Sequence, residues 1–252
     1  MIPDRAGPLG RHADHLRAAA QREPLGLYLH IPFCLDRCTY CSFTTTRDRE
    51  LQPAAVACLR REIRAWGEAL GRPAVDTLYL GGGTPSLLTL EELAGLTADL
   101  RAAFDLRPLL EATLEANPGT VGLDWLQAAR ALGWDRISLG VQALDDGLLG
   151  RLGRIHGADQ ALEALALAER AGFQRRSADL MVGIPGQSLA NVVKDARTLA
   201  GTGIEHLSIY LLDLDKACPL KAEVEAGRLA LPTEDEVADV FEALQAELPR
   251  LG

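Results

Sequence analysis

Leu27-Tyr-Leu-His-Ile-Pro-Phe33 leads directly into Cys34-Leu-Asp-Arg-Cys38-Thr-Tyr-Cys41, and this junction orders the rest of the chain. The apolar run reads as a strand, and the segment after it gathers three thiols within eight residues. Thiolates are soft donors that hold iron-sulfur clusters, and a four-iron cube held by only three of them keeps one iron open to another molecule. Three alternatives use the same residues. A structural zinc needs a fourth donor, for which His30 or Cys58 could serve, though neither stands at a common finger spacing. Cys38 and Cys41 could form a thioredoxin-like pair, which leaves Cys34 surplus, and the thiols could simply be buried and inert.

Downstream of the junction, short β-rich runs alternate with longer helical patterns. Strands are predicted at 27–31, 77–80, 112–114, 136–141, 178–182 and 206–212, with amphipathic helices at 53–70, 90–104, 123–132, 158–171, 189–200 and 234–248. Gly71, Gly133, Gly172 and Gly201 each follow a helical run, where a C-terminal cap belongs. The alternation predicts an α/β fold with a parallel sheet and right-handed crossovers, which could stay flat or curl into a barrel. Most polar and glycine-rich residues follow the strands, so the site is expected at the carboxyl edge of the sheet.

A length of 252 residues suits one α/β barrel domain, with a short N-terminal extension at 1–25 and the core at 26–252. An apolar content of 48% supplies a substantial core, and 24% charged residues suit a soluble surface. A net charge of -9 argues against nucleic acid as a partner. Five cysteines, three crowded and Cys58 and Cys218 isolated, do not form a secreted disulfide framework, and a reducing cytoplasmic setting is predicted. Arg5, Arg11, His12, Asp14, His15, Arg17 and Arg22 stud a start without an apolar signal core, and no window reaches membrane-spanning length.

Several motifs carry chemistry only in context. Gly81-Gly-Gly-Thr-Pro85 lets a backbone come close to a ligand, but by itself also reads as an ordinary βα turn. Glu115 ends a strand before the turn Asn117-Pro-Gly119. Arg151, Arg154 and His156 make a basic spot suited to a carboxylate, or merely solvated at a helix end. Asp179 lies inside an apolar strand, where an unpaired charge is costly, so a partner or ligand is expected beside it. His206 reads as a structural hydrogen-bonding residue, and Trp66, Trp125 and Trp134 as helix-to-sheet packing.

Tyr28-Leu-His-Ile-Pro-Phe-Cys34-x3-Cys38-x-Tyr40-Cys41-x-Phe43 resembles the radical S-adenosylmethionine (SAM) enzymes, in particular their branch of coproporphyrinogen dehydrogenases and heme chaperones. The resemblance continues through Gly81 to Ser86, Thr113 to Gly119, Arg136 to Gln142, Leu152 to His156, Asp179 to Gln187, Glu205 to Tyr210 and Leu229 to Pro232. It implies a partial (β/α)6 barrel and a [4Fe-4S] cluster on Cys34, Cys38 and Cys41. SAM would chelate the fourth iron and be cleaved reductively to a deoxyadenosyl radical. The same resemblance implies that Tyr28, Tyr40, Gly82, Gly83, Thr84, Glu115, Gln142, Arg154 and Asp179 line the SAM site. Residue chemistry agrees, since Arg154 suits a carboxylate while Glu115, Gln142 or Asp179 can accept from ribose hydroxyls.

Within the branch, the dehydrogenases resemble Cys-x3-Cys-x2-Cys-x-Cys, whereas Phe43 occupies the last of those positions here. The resemblance therefore implies the heme-chaperone type, handling heme or a porphyrin with an acceptor protein and an electron donor as partners. A coproporphyrinogen III dehydrogenase and a non-enzymatic heme carrier are the alternatives. His30, His156 and Cys218 are candidate heme ligands by residue type only. Gly252 falls where relatives would begin a carboxyl-terminal domain, so that domain is expected to be absent.

Overall fold

Six runs of alternating residues form six parallel strands in a computed structural model that describes residues 9–251, with side chains from residue 14 onward. They are β1 (Leu25–Ile31), β2 (Val75–Gly82), β3 (Glu111–Ala116), β4 (Arg136–Gln142), β5 (Arg175–Val182) and β6 (His206–Leu211). The strands lie side by side in chain order, each neighbouring pair parallel. β1 and β6 do not pair with each other, so the sheet is open. It nevertheless curls, because side chains from β2 through β6 line one shared cavity. The architecture is thus a partial (β/α)6 barrel.

The helices are α1 (Leu9–Ala20), α2 (Gln52–Leu70), α3 (Leu90–Ala103), α4 (Leu123–Ala131), α5 (Asp146–Arg151), α6 (Ala158–Arg170), α7 (Leu189–Ala200), α8 (Pro219–Glu225) and α9 (Glu234–Glu247). The six predicted from apolar periodicity are all present, with bounds that shift by at most a residue at either end. Capping boxes at Thr89, Ser188 and Thr233 fix where α3, α7 and α9 begin. Left-handed glycines follow α2, α4 and α6 at Gly71, Gly133 and Gly172 as expected. Gly201 is the C-terminal cap of α7 in a right-handed conformation, and Gly203 supplies a positive φ two residues later.

Three helices were not foreseen. α5 and α8 are too short to show a helical period, and α1 is a surface helix that docks through Arg17, whose Nε donates to the Ala69 carbonyl at the end of α2. Within the extension at 1–25, residues 1–8, with Arg5, lie outside the described residues, as do the side chains of Arg11 and His12.

Alternation divides each strand between two environments. Leu78, Leu80, Leu114, Ile137, Leu139, Val141, Ala178, Leu180 and Val182 face the helices and build the main core. A second apolar cluster, including Ala143, Leu149, Leu152, Met181, Ile184, Leu212 and Leu220, lies beneath α5 and α8. Trp134 is buried with its indole N–H on Thr97 Oγ1 at 3.1 Å, and Trp125 donates to the Leu88 carbonyl, so both serve as packing residues with satisfied donors.

Candidate functional site: the cysteine loop and the barrel lumen

The three thiols sit on a loop fastened from several sides. Cys34 N–H donates to the Thr46 carbonyl at 3.0 Å, which continues the geometry of β1 beyond its last residue. Thr39 is the central tether. Its N–H and hydroxyl donate to the carbonyls of Leu152 and Arg151, both at 2.9 Å, and its own carbonyl accepts from Leu220 N–H at 2.9 Å. The short helices α5 and α8 thus position the loop. Burial pushes the Cys34 thiol pKa up, and a hydrogen bond from Thr84 Oγ1 at 3.6 Å acts in the opposite sense; nearby Cys41 and Cys38 also raise it. All three cysteines border one cavity of about 660 Å³.

The triple-glycine turn reaches the same loop from β2. A Cβ on Gly83 would stand 2.9 Å from Cys34 Sγ and 2.8 Å from the Phe33 carbonyl. Gly82 has a φ of 118°, and a Cβ there would meet the His30 ring at 2.8 Å. These positions therefore require glycine so that the cysteine loop can lie against the turn, in addition to any approach by a ligand.

Arg154 connects the loop to the sheet. Its Nη1 lies 3.5 Å from Cys38 Sγ and its Nη2 donates to the Gly140 carbonyl at 2.6 Å, while its Nε is buried without a partner among the described residues. Burial opposes its charge, but Tyr40 and Cys38 offset that penalty and the net pKa shift is upward, so the guanidinium stays cationic. Arg151 turns elsewhere, donating to the Pro185 carbonyl. His156 is buried, with Nδ1 at 2.9 Å from Asn117 Oδ1 and Nε2 at 3.2 Å from the Val141 carbonyl. His30 is likewise engaged at both ring nitrogens, by Tyr28 Oη and the Thr44 carbonyl. Neither histidine presents a ring nitrogen free of protein contacts.

Below the loop, the inward phase of the strands is polar. Glu115 accepts from Tyr79 Oη at 2.7 Å and from Gly82 N–H at 3.0 Å. Asp179 accepts from Ser138 Oγ at 3.2 Å, which supplies the partner that its place in an apolar strand demands. Burial pushes the Asp179 carboxyl up to about 6, with the Ser138 hydrogen bond opposing and Glu115 adding to the rise. Gln142 adopts a φ of 73° at a bulge in β4, and its Oε1 accepts from Tyr210 Oη across the lumen. His206 has the structural role expected of it, with Nδ1 2.8 Å from Ser177 Oγ.

Cys34, Cys38, Tyr40, Cys41, Gly82, Gly83, Thr84, Glu115, Gln142, Arg154 and Asp179 all border the cavity. Tyr28 is the exception: it stands on the edge strand, 59% exposed, with its ring 6.0 Å from Tyr79 and outside the cavity lining. Tyr79, Arg136, Ser138, Ser208 and Tyr210 also line the lumen and were not singled out from sequence. The signal for them was alternation within β2, β4 and β6, where Arg136 and Ser138, and likewise Ser208 and Tyr210, stand two residues apart and, with Tyr79, on the phase opposite the apolar core residues.

No three His, Cys, Asp or Glu side chains among the described residues are arranged to hold a single metal ion, as the zinc alternative requires. A four-iron cube imposes a different layout, since each thiolate takes its own iron. A tethered thiol triad, a glycine cradle and an unpartnered buried guanidinium donor fit such a cube with a charged ligand beside it.

Residues 28–199 match the family model of the Radical SAM superfamily, well over half of the chain. The chain belongs to the radical SAM superfamily. It is 37% identical over 234 residues to the heme chaperone HemW of Mycobacterium tuberculosis, spanning 91% of this chain and 60% of that protein. It is 35% identical over 250 residues to the mitochondrial radical S-adenosyl methionine domain-containing protein 1 of Bos taurus, spanning 99% of this chain and 55% of the relative. Among solved structures, coproporphyrinogen III oxidase (HemN) of Escherichia coli, described as a radical SAM enzyme, superposes with a TM-score of 0.82 at 26% identity, covering 95% of this chain and 56% of that one. This radical SAM chain therefore spans only about 60% of the HemW length it matches.

Proposed function

We propose that this chain is a radical SAM protein of the heme-chaperone type, which carries a [4Fe-4S] cluster on Cys34, Cys38 and Cys41 and binds SAM in the lumen beside it. The observation that carries this reading is Arg154, a buried cation that touches Cys38 Sγ, keeps one donor unpartnered and lines the same cavity as the glycine cradle. Arg154 would receive the SAM carboxylate, and the glycines would admit its methionine end. Glu115, already oriented by Tyr79 and Gly82, would accept from ribose hydroxyls together with Asp179 or Gln142. Tyr40 would close one wall of the site, whereas Tyr28 lies outside the cavity lining. When bound, the cluster supplies the single electron for reductive SAM chemistry.

Likeness to HemW at 37% identity supports heme or a porphyrin as the second ligand, with an acceptor protein and an electron donor as partners. A cytoplasmic site of action follows from the cysteine usage; separately, no described helix is long and apolar enough to cross a membrane. HemN, at 26% identity, supports coproporphyrinogen oxidation as the second reading.

Anaerobic reconstitution should load about four irons per chain with spectra that change on adding SAM. Cys38→Ala should lose both the cluster and SAM binding, and undiminished SAM binding by that variant would sink the assignment. Deoxyadenosine release in the presence of heme or coproporphyrinogen then separates turnover from carriage.

A further inference from the structure

The lumen wall carries charged and hydroxyl groups among its apolar residues. Glu115, Arg136, Ser138, Asp179 and Ser208 all border it, and pressing a macrocycle against them would strip their hydration without replacing hydrogen bonds. A tetrapyrrole would press on fewer of these groups at a surface outside the lumen that still communicates with the cavity. The mouth provides one. Phe43 is 66% exposed and Leu211 50% exposed, and both border the same cavity from opposite ends of the sheet. Phe43 follows the cysteine loop after β1, while Leu211 ends β6, so the curl of the open sheet sets them across one opening. Exposed apolar side chains at the entrance to a ligand cavity offer an apolar ligand a surface.

Arg37 stands at the same rim. Its Nη2 donates to the Cys41 carbonyl at 3.1 Å, and among the described residues it has no carboxylate partner, unlike its neighbour Asp36, which is paired with Arg47. The remaining guanidinium donors form a fork suited to a carboxylate. A tetrapyrrole combines an extended apolar plane with carboxylates at its periphery, the same combination in complementary form.

Resting on the heme-chaperone reading above, we propose that Phe43 and Leu211 form an apolar platform for one face of a tetrapyrrole at the cavity mouth, with Arg37 binding a peripheral carboxylate. The porphyrin then lies over the lumen rather than within it.

The test uses the full reconstituted chain, titrated with heme and with heme dimethyl ester, in which the carboxylates are masked. Leu211→Glu, remote from the thiols in sequence, should weaken both probes by about tenfold or more, and Phe43→Ala should do the same. Arg37→Gln should weaken heme by about tenfold while leaving the ester unchanged, so that the two probes within one variant control for damage to the loop. Full heme affinity in Leu211→Glu and Phe43→Ala overturns the platform while leaving the heme reading intact. An equal loss of both probes in Arg37→Gln overturns the carboxylate contact. Failure of the wild-type chain to bind either probe overturns both the proposal and the reading beneath it.

Discussion

Gln142 illustrates how individual residues are bent to the needs of the site. Its φ of 73° is a conformation that non-glycine residues rarely hold, yet its side chain is needed to meet Tyr210 across the lumen. Gln142→Ala would keep the strain and lose the hydrogen bond, whereas Gln142→Gly would lose both. The glycine variant should therefore be more stable than the alanine variant by about 1 kcal/mol in urea unfolding. Equal stability would show that the backbone is not strained. Two buried titratable groups make a second test. Asp179 is raised to about 6, chiefly by burial, so its stabilising contribution is complete below its unfolded value and is lost as pH rises through about 6. His156 is lowered to about 4, also chiefly by burial, so its contribution is complete above its ordinary value and is lost as pH falls toward about 4. The two slopes oppose each other across nearly the same window. In ligand-free protein, Asp179→Asn should expose the His156 slope, with Tm climbing between roughly pH 4 and 6.5 more steeply than in the wild type. Superimposable profiles of Tm against pH would refute the burial of Asp179.

At the level of elements, the long helices were readable because each buries one apolar stripe, whereas α5 and α8 were not because six or seven residues cannot display a period. Those short helices nevertheless hold Thr39, and through it the thiol loop. Packing between α2 and α3 depends on Gly67, where a Cβ would lie 2.5 Å from both the Ala103 carbonyl oxygen and its Cβ. Gly67→Ala would gain up to about 1 kcal/mol in helix propensity, but prising two helices apart costs about 1–3 kcal/mol, and the clash with backbone places the cost at the upper end. Net destabilisation of about 1–2 kcal/mol is expected from chemical denaturation. A stabilised variant would show that the interface yields without cost. Gly201 caps α7 as its place after a helical run suggested, and the left-handed turn follows at Gly203.

For the whole molecule, the open edge between β1 and β6 leaves a lumen that ligands can fill, so stability should depend on occupancy. SAM at about 100 times its Kd adds about 2.7 kcal/mol, which for a chain of this size raises Tm by roughly 5–10 °C. The same addition to Cys38→Ala should leave Tm unchanged, and a matching rise would separate SAM binding from the cluster. By itself, the sequence determined the strand-helix order, the thiol spacing and most residues around the cavity, because alternation, helical periodicity and motif spacing are local properties. Whether the sheet curled, which strand-interior residues met across it, and that Tyr28 stood outside the cavity lining were decided only by tertiary structure. Those outcomes depend on strand register and curvature, which bring side chains from distant strands to one space and which no short stretch of chain encodes.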